Sequence, residues 1–228
     1  MMQQPATTYE SARAIESHRV LRNTYWLLAL SMVPTVLGAT LGVQLGFKFL
    51  PGSPFIGALL FLAIAFGFFY AIEKYKNSGV GVVLLLGFTF FMGLMLSRLL
   101  QVALGFSNGG TLIATAGALT SGIFATMATI ATVSKRDFTK MGKFLFAGVI
   151  VLLLASLANI FFQIPALTLA IAAAVVMVFS LYLLFDVSNI VQGGETNYVS
   201  ATLAVYLDVY NIFSGLLQLL MALGGDRD

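Results

Sequence analysis

The chain contains no cysteine, which excludes disulfides, thiol nucleophiles and thiolate metal centres and leaves the redox compartment open. Its single histidine, His18, lies in the polar N-terminal segment. A histidine-ligated metal site or a serine–histidine protease within the apolar part of the chain is therefore excluded. Charge is scarce too: Asp, Glu, Lys and Arg together make up 9% of 228 residues, against about 25% in soluble domains. With 59% hydrophobic residues and a mean hydropathy of +0.96, a soluble globular domain is excluded. The net charge of +3 comes from basic residues scattered along the chain. That pattern is no footprint for nucleic acid and is better explained by membrane topology.

What the sequence does contain is apolar runs long enough to cross a bilayer. They cover residues 25–47, 55–72, 79–104, 111–133, 143–162, 166–190 and 200–223. A span needs about 20 residues, so the expected fold is an all-α membrane protein, a bundle of seven transmembrane helices. Residues 1–24 are polar, with a helix-like stretch over 11–23. They are too long and too acidic for the leading region of a signal peptide and read as a retained cytoplasmic tail. The bundle then occupies 25–223, and 224–228 form a short C-terminal tail. With the N-terminus inside, nine basic residues are cytoplasmic (Arg13, Arg19, Arg22, Lys74, Lys76, Lys135, Arg136, Lys140 and Lys143). Lys48, Arg98 and Arg227 fall on the other side. This asymmetry follows the positive-inside rule. In a bacterium it places the chain in the cytoplasmic (inner) membrane with its C-terminus in the periplasm.

Small residues mark expected packing faces. Gly38, Gly42 and Gly46 form a doubled G-x-x-x-G in the first span, a pattern that lets helix backbones approach closely. The fourth span carries Thr115, Ser121, Gly122, Ala125, Thr126 and Thr129; helix packing or a hydroxyl-lined water path would account for them.

Two aspartates stand inside the last two apolar runs. An ionisable group at bilayer depth is expensive unless paired, hydrated or protonated, and so marks a functional site by default. Asp186 and Asp208 sit in related surroundings, Phe185-Asp186-Val187-Ser188-Asn189-Ile190 and Leu207-Asp208-Val209-Tyr210-Asn211-Ile212. In each copy the aspartate and the asparagine three residues on share a helical face. The two spans run antiparallel, and the aspartates sit roughly 10 and 14 Å from the cytoplasmic end at about 1.5 Å per residue. Close approach is expected. Two carboxylates in one low-dielectric site cannot both ionise cheaply, so they would titrate as one unit.

Three uses fit such a pair. It holds a shared proton as a structural hydrogen bond; or it forms a pH-sensitive gate or cation site. For the gate, the hard oxygens of Asp186 and Asp208, with the amides of Asn189 and Asn211 nearby, suit protons or calcium. The third use is an intramembrane aspartyl protease dyad. The tripeptide Pro165-Ala166-Leu167 points that way. However, it precedes both aspartates, and Val205-Tyr206-Leu207 stands where a glycine-rich motif is expected. The chain is accordingly not expected to be an enzyme, and no cofactor is expected beyond calcium as a transported ion. Arg98, toward the outer end of the third span, is a secondary charge. It snorkels to headgroups or pairs with a carboxylate.

Several motifs resemble the Bax inhibitor-1 family. They are Ser134-Lys135-Arg136-Asp137-Phe138, the sixth-span aspartate and Leu207-Asp208. His18-Arg19-Val20-Leu21-Arg22-Asn23-Thr24-Tyr25, the run from Ala158-Asn159-Ile160 to Pro165-Ala166-Leu167, and Gly193-Gly194-Glu195-Thr196-Asn197-Tyr198 resemble its bacterial YccA-like branch. The resemblance extends over nearly the whole chain. It implies a seven-helix bundle with the last helix near its centre, and two activities. Members with both aspartates are linked to a pH-sensitive calcium leak, which would make Asp186 and Asp208 the sensor. The YccA-like branch is linked to modulation of the membrane AAA protease FtsH, which it occupies as a poorly degraded substrate. Leak members are also associated with a basic latch residue in the second span. This chain has no basic residue there before Lys74.

Overall fold

The structure, a computed structural model, describes residues 5–49, 52–134 and 136–225, with side chains from Ile15 onward. Lys135, Arg227, the Arg13 side chain and the outermost parts of both expected tails lie outside the described residues. Seven long helices follow one another: α1 (Pro5–Gln44), α2 (Pro54–Tyr75), α3 (Gly79–Leu104), α4 (Gly109–Val133), α5 (Gly142–Phe162), α6 (Pro165–Val191) and α7 (Tyr198–Gly224). All seven are long and apolar enough to cross a membrane. A 3₁₀ turn, Thr139–Met141, precedes α5. One end of the bundle, here the proximal end, carries the start of α1 and the α2–α3, α4–α5 and α6–α7 connections. The distal end carries the other three connections and the end of α7.

The apolar runs anticipate α2 to α7 to within a few residues at each end. The first helix differs. It starts at Pro5 and passes unbroken through the tail boundary expected at residue 24. Proline suits a helix's first turn, and no glycine or proline follows until Pro34. Tertiary contact then holds the polar part of the helix in place: Ser17, Val20 and Thr24 are buried. Ser17 and Val20 line a small cavity with Gly193, Glu195 and Thr196 of the α6–α7 turn.

α7 occupies the middle of the bundle and packs against α1, α2, α3, α4 and α6. Its fully buried Tyr206 meets Phe88 of α3 edge-on at 6.3 Å, and Phe88 in turn packs on Phe68 and Phe69 of α2. α5 is the outlier: Leu145 is its only buried residue, and among the helices it contacts α6 and, lightly, α2.

The tightest helix pair is α1 with α3. A Cβ on Gly38 would strike the Phe90 carbonyl, one on Gly42 would strike the Ser97 side chain, and one on Gly93 would strike the Thr35 carbonyl. Backbone approach of this kind needs glycine on both sides. Gly46, expected to extend that stripe, does something else. It lies past the end of α1 at φ 61° with nothing near its missing Cβ, so it terminates the helix in the left-handed region. The hydroxyl stripe of α4 also departs from both expectations. Ser121, Thr126 and Thr129 are exposed on the outside of the bundle, each donating to its own helix's carbonyl four residues back. Back-bonding satisfies a hydroxyl that faces lipid.

At the proximal end the connections are tied together. Asn197 caps α7 by accepting from the Val199 and Ser200 amides at 2.9 and 3.2 Å, and its amide donates to Asn77 Oδ1 and the Lys76 carbonyl at 2.8 and 3.3 Å. Glu73 pairs with Lys76 and accepts from the Ser200 hydroxyl. The hydrogen bond to Glu73 pushes the Lys76 ammonium up from its usual value. Nearby, Thr139 donates its amide and hydroxyl to Asp137, holding that carboxyl below the usual carboxylate range.

Candidate functional site: a carboxyl pair between the last two helices

Asp186 stands five residues before the end of α6 and Asp208 ten residues after the start of α7. Antiparallel packing of these helices brings the two to matching depth, and their carboxyl groups are in hydrogen-bonding contact. Asp208 is 2% exposed, and its Oδ2 has no hydrogen-bond partner among the described residues. Asp186 is partly buried. The neighbours are mostly apolar: Leu183, Leu184, Val187, Val205 and Ile212 are all buried. In so dry a setting two adjacent carboxylates repel strongly unless they share a proton or a cation.

The asparagines lie elsewhere. Asn189 turns its amide oxygen toward Gly194, and its carbonyl accepts from the amides of Gly194 and Glu195 at 2.8 and 3.3 Å. It shapes the α6–α7 turn. Asn211 donates to the Leu207 carbonyl at 2.8 Å and lines a trough shared with α2, α5 and α6. A face shared at i and i+3 is too wide to guarantee a shared neighbour. Arg98 sits six residues before the distal end of α3, in the opposite half of the bundle from the carboxyls. It lines a distal cavity with Lys48.

Two features escaped the sequence reading. Tyr182, one turn before Asp186, and Glu195 in the α6–α7 turn both lie within electrostatic reach of the pair. The first is legible as an i−4 neighbour; the second depends on how the turn folds back. A buried polar chain also crosses the bundle from α1 to α3 and α7. Thr35 Oγ1 lies 2.9 Å from Tyr206 Oη and 3.2 Å from the Thr89 carbonyl.

Seven apolar helices, with a carboxyl-bearing one at their centre, define a multi-pass integral membrane protein with a polar site in its interior. A family model described as "Inhibitor of apoptosis-promoting Bax1" matches residues 17–225, and the chain belongs to the Bax inhibitor-1 family. Among its relatives is the Escherichia coli protein named "Modulator of FtsH protease YccA", 36% identical over 94% of this chain and 95% of that one. An uncharacterized protein of Neisseria meningitidis is 38% identical over 95% of this chain and 96% of its own length. An uncharacterized membrane protein of Vibrio cholerae is 38% identical over 91% of each.

Proposed function

We propose that this chain is an inner-membrane modulator of an FtsH-type AAA protease. The observation that carries the reading is its similarity, over nearly its full length, to the relative named for that role. The geometry supports a physical route. An unfoldase that seizes the N-terminus pulls on α1, which continues without a break into the first span. That helix is held against α3 by close glycine contacts, to backbone at Gly38 and Gly93 and to the Ser97 side chain at Gly42. Melting it means exposing backbone polar groups to hydrocarbon, at several kcal/mol per unsatisfied group. The chain therefore resists extraction while occupying the protease.

The test is degradation of a known FtsH substrate in proteoliposomes that contain this chain whole or lacking residues 2–14. The whole chain should slow degradation and the shortened one should not. Equal slowing by both sinks the handle mechanism; no slowing by either sinks the modulator reading. The reading needs the proximal end in the cytoplasm and residue 228 in the periplasm, in keeping with the basic residues at the proximal end. A reporter fused at residue 228 and active only in the cytoplasm would contradict it.

A second reading is favoured by the contact between Asp186 and Asp208: a pH-sensitive calcium or cation leak, with the pair as sensor. The shared proton holds α6 against α7, and its loss leaves like charges that push the helices apart or admit a cation. Calcium flux into proteoliposomes of the purified protein between pH 6 and 8 tests it. A flux no greater than that of empty liposomes across the range rejects it.

A further inference from the structure

The distal end of the bundle contains a cavity of about 780 Å³ between the α1–α2 connection, α2 and α3, with Ile160 of α5 on its wall. Lys48 and Arg98 both line it. Neither belongs to an ion pair among the described residues, and the described residues of that end include no carboxylate. The first turn of α2 also contributes, through Pro54 and Gly57, so the positive end of a helix dipole adds to the two side-chain charges. Among the described residues the mouth is cationic, and no carboxylate compensates it.

Ala58, Phe61 and Ile160 line this mouth and also a second, apolar space of about 330 Å³. That second space runs between α2 and α5 as far as Val175, Phe179 and Asn211. It exists because α5 packs on α6 and barely on α2. Within a bilayer it is too apolar for water to fill with satisfied hydrogen bonds, and it opens at headgroup level onto the two cations. A polar, positive head space joined to a dry tail space matches an amphiphile with an anionic head.

We propose that an anionic phospholipid of the distal leaflet occupies this site, its phosphate between Lys48 and Arg98 and an acyl chain in the α2–α5 trough past Ala58, Phe61 and Ile160. The site lies in the half of the bundle opposite Asp186 and Asp208, and it does not depend on either functional reading above. The lipid completes the α2–α5 contact that the protein leaves open, and it gives Arg98 an anionic partner.

The experiment is a titration of phosphatidylglycerol, against phosphatidylcholine of the same chain length, into the full-length protein in detergent. Native mass spectrometry reads bound lipid, and thermal melting reads stabilisation. Phosphatidylglycerol should bind at one per chain and raise the melting temperature, and phosphatidylcholine should do neither. The Lys48→Gln/Arg98→Gln variant should melt like the wild type without lipid and bind phosphatidylglycerol roughly 30-fold more weakly, as expected for removing two cations at the membrane surface. Ala58→Phe, which fills the junction and keeps both cations, should also lose binding. Equal retention of both lipids overturns the proposal, as does unchanged binding in the double variant. So does equal stabilisation by glycerol phosphate, which has the head and no tail.

Discussion

Tyr206 and Thr35 are 171 positions apart in sequence, and their hydroxyl oxygens lie 2.9 Å apart in the middle of the bundle. Tyr206 is 1% exposed, and it also reaches the Thr89 carbonyl at 3.4 Å. The bond joins the central helix to the α1–α3 pair at a depth where no water competes. Tyr206→Phe keeps the ring packing and removes the hydroxyl's contacts with Thr35 and the Thr89 carbonyl. It should destabilise the folded protein by about 0.5–1.5 kcal/mol, the range for interhelical hydrogen bonds in membranes. Unfolding in mixed micelles measures it; an unchanged midpoint would leave the bond without energetic weight.

Glycines in this chain divide by what faces them. Gly93→Ala places a methyl against the Thr35 carbonyl and forces α1 and α3 apart, whereas Gly67 on α2 has nothing within 4 Å of its missing Cβ. Gly93→Ala should cost about 1–3 kcal/mol, as overpacking does. Gly67→Ala should be neutral or stabilise by up to about 1 kcal/mol through helix propensity. Thermal melting of the two variants side by side gives the comparison, and equal shifts would contradict the close α1–α3 approach.

Asn197 serves two connections at once, capping α7 and donating to Asn77 and Lys76 in the α2–α3 turn. Asn197→Ala should cost about 1–2 kcal/mol, toward the upper end of cap substitutions. It should also raise amide hydrogen exchange at residues 76–78. Exchange confined to the start of α7 would mean the tie between the turns carries no stability.

For the carboxyl pair, Asp186→Asn and Asp208→Asn each remove one charge and let the remaining group titrate alone. If cation flux is measured, either change should flatten or strongly shift its pH profile. The double variant should add little to either single one, because the two groups act as one unit. The sign is set by repulsion: the paired arrangement is favoured at low pH, where the proton is held, and loosens as pH rises. A double variant with the wild-type profile would remove the pair from any sensing role.

The composition alone settles the solvent of this chain and the number of its helices. A hydrocarbon environment allows few solutions for the backbone, so run length and the breaks between runs determine the spans. The Gln163-Ile164-Pro165 turn between α5 and α6 was legible for the same reason. Gln163 takes φ 52°, and the Ile164 amide donates to Asn159 Oδ1 at 3.0 Å, just before a proline that can only begin a new helix. The aspartates were legible because charge is rare in apolar runs, and their common depth follows from helical rise on either side of a short turn.

Helix rotation and neighbourhood are a different matter, because every face of a membrane helix is apolar and periodicity hardly separates lipid from protein. Three small residues in a row could not show that Gly38 and Gly42 face α3 and Gly46 ends the helix. The α4 hydroxyls could not show that they face outward. Asn189 and Asn211 share the aspartates' helices but not their surroundings, since each is drawn off by a local carbonyl or turn. Only the packed bundle decided that Asp186 meets Asp208, that α1 extends its polar turns against the α6–α7 connection, and that α5 stands away from α2. Those outcomes depend on which side chains interlock across helices, and that is a property of pairs of helices rather than of any one of them.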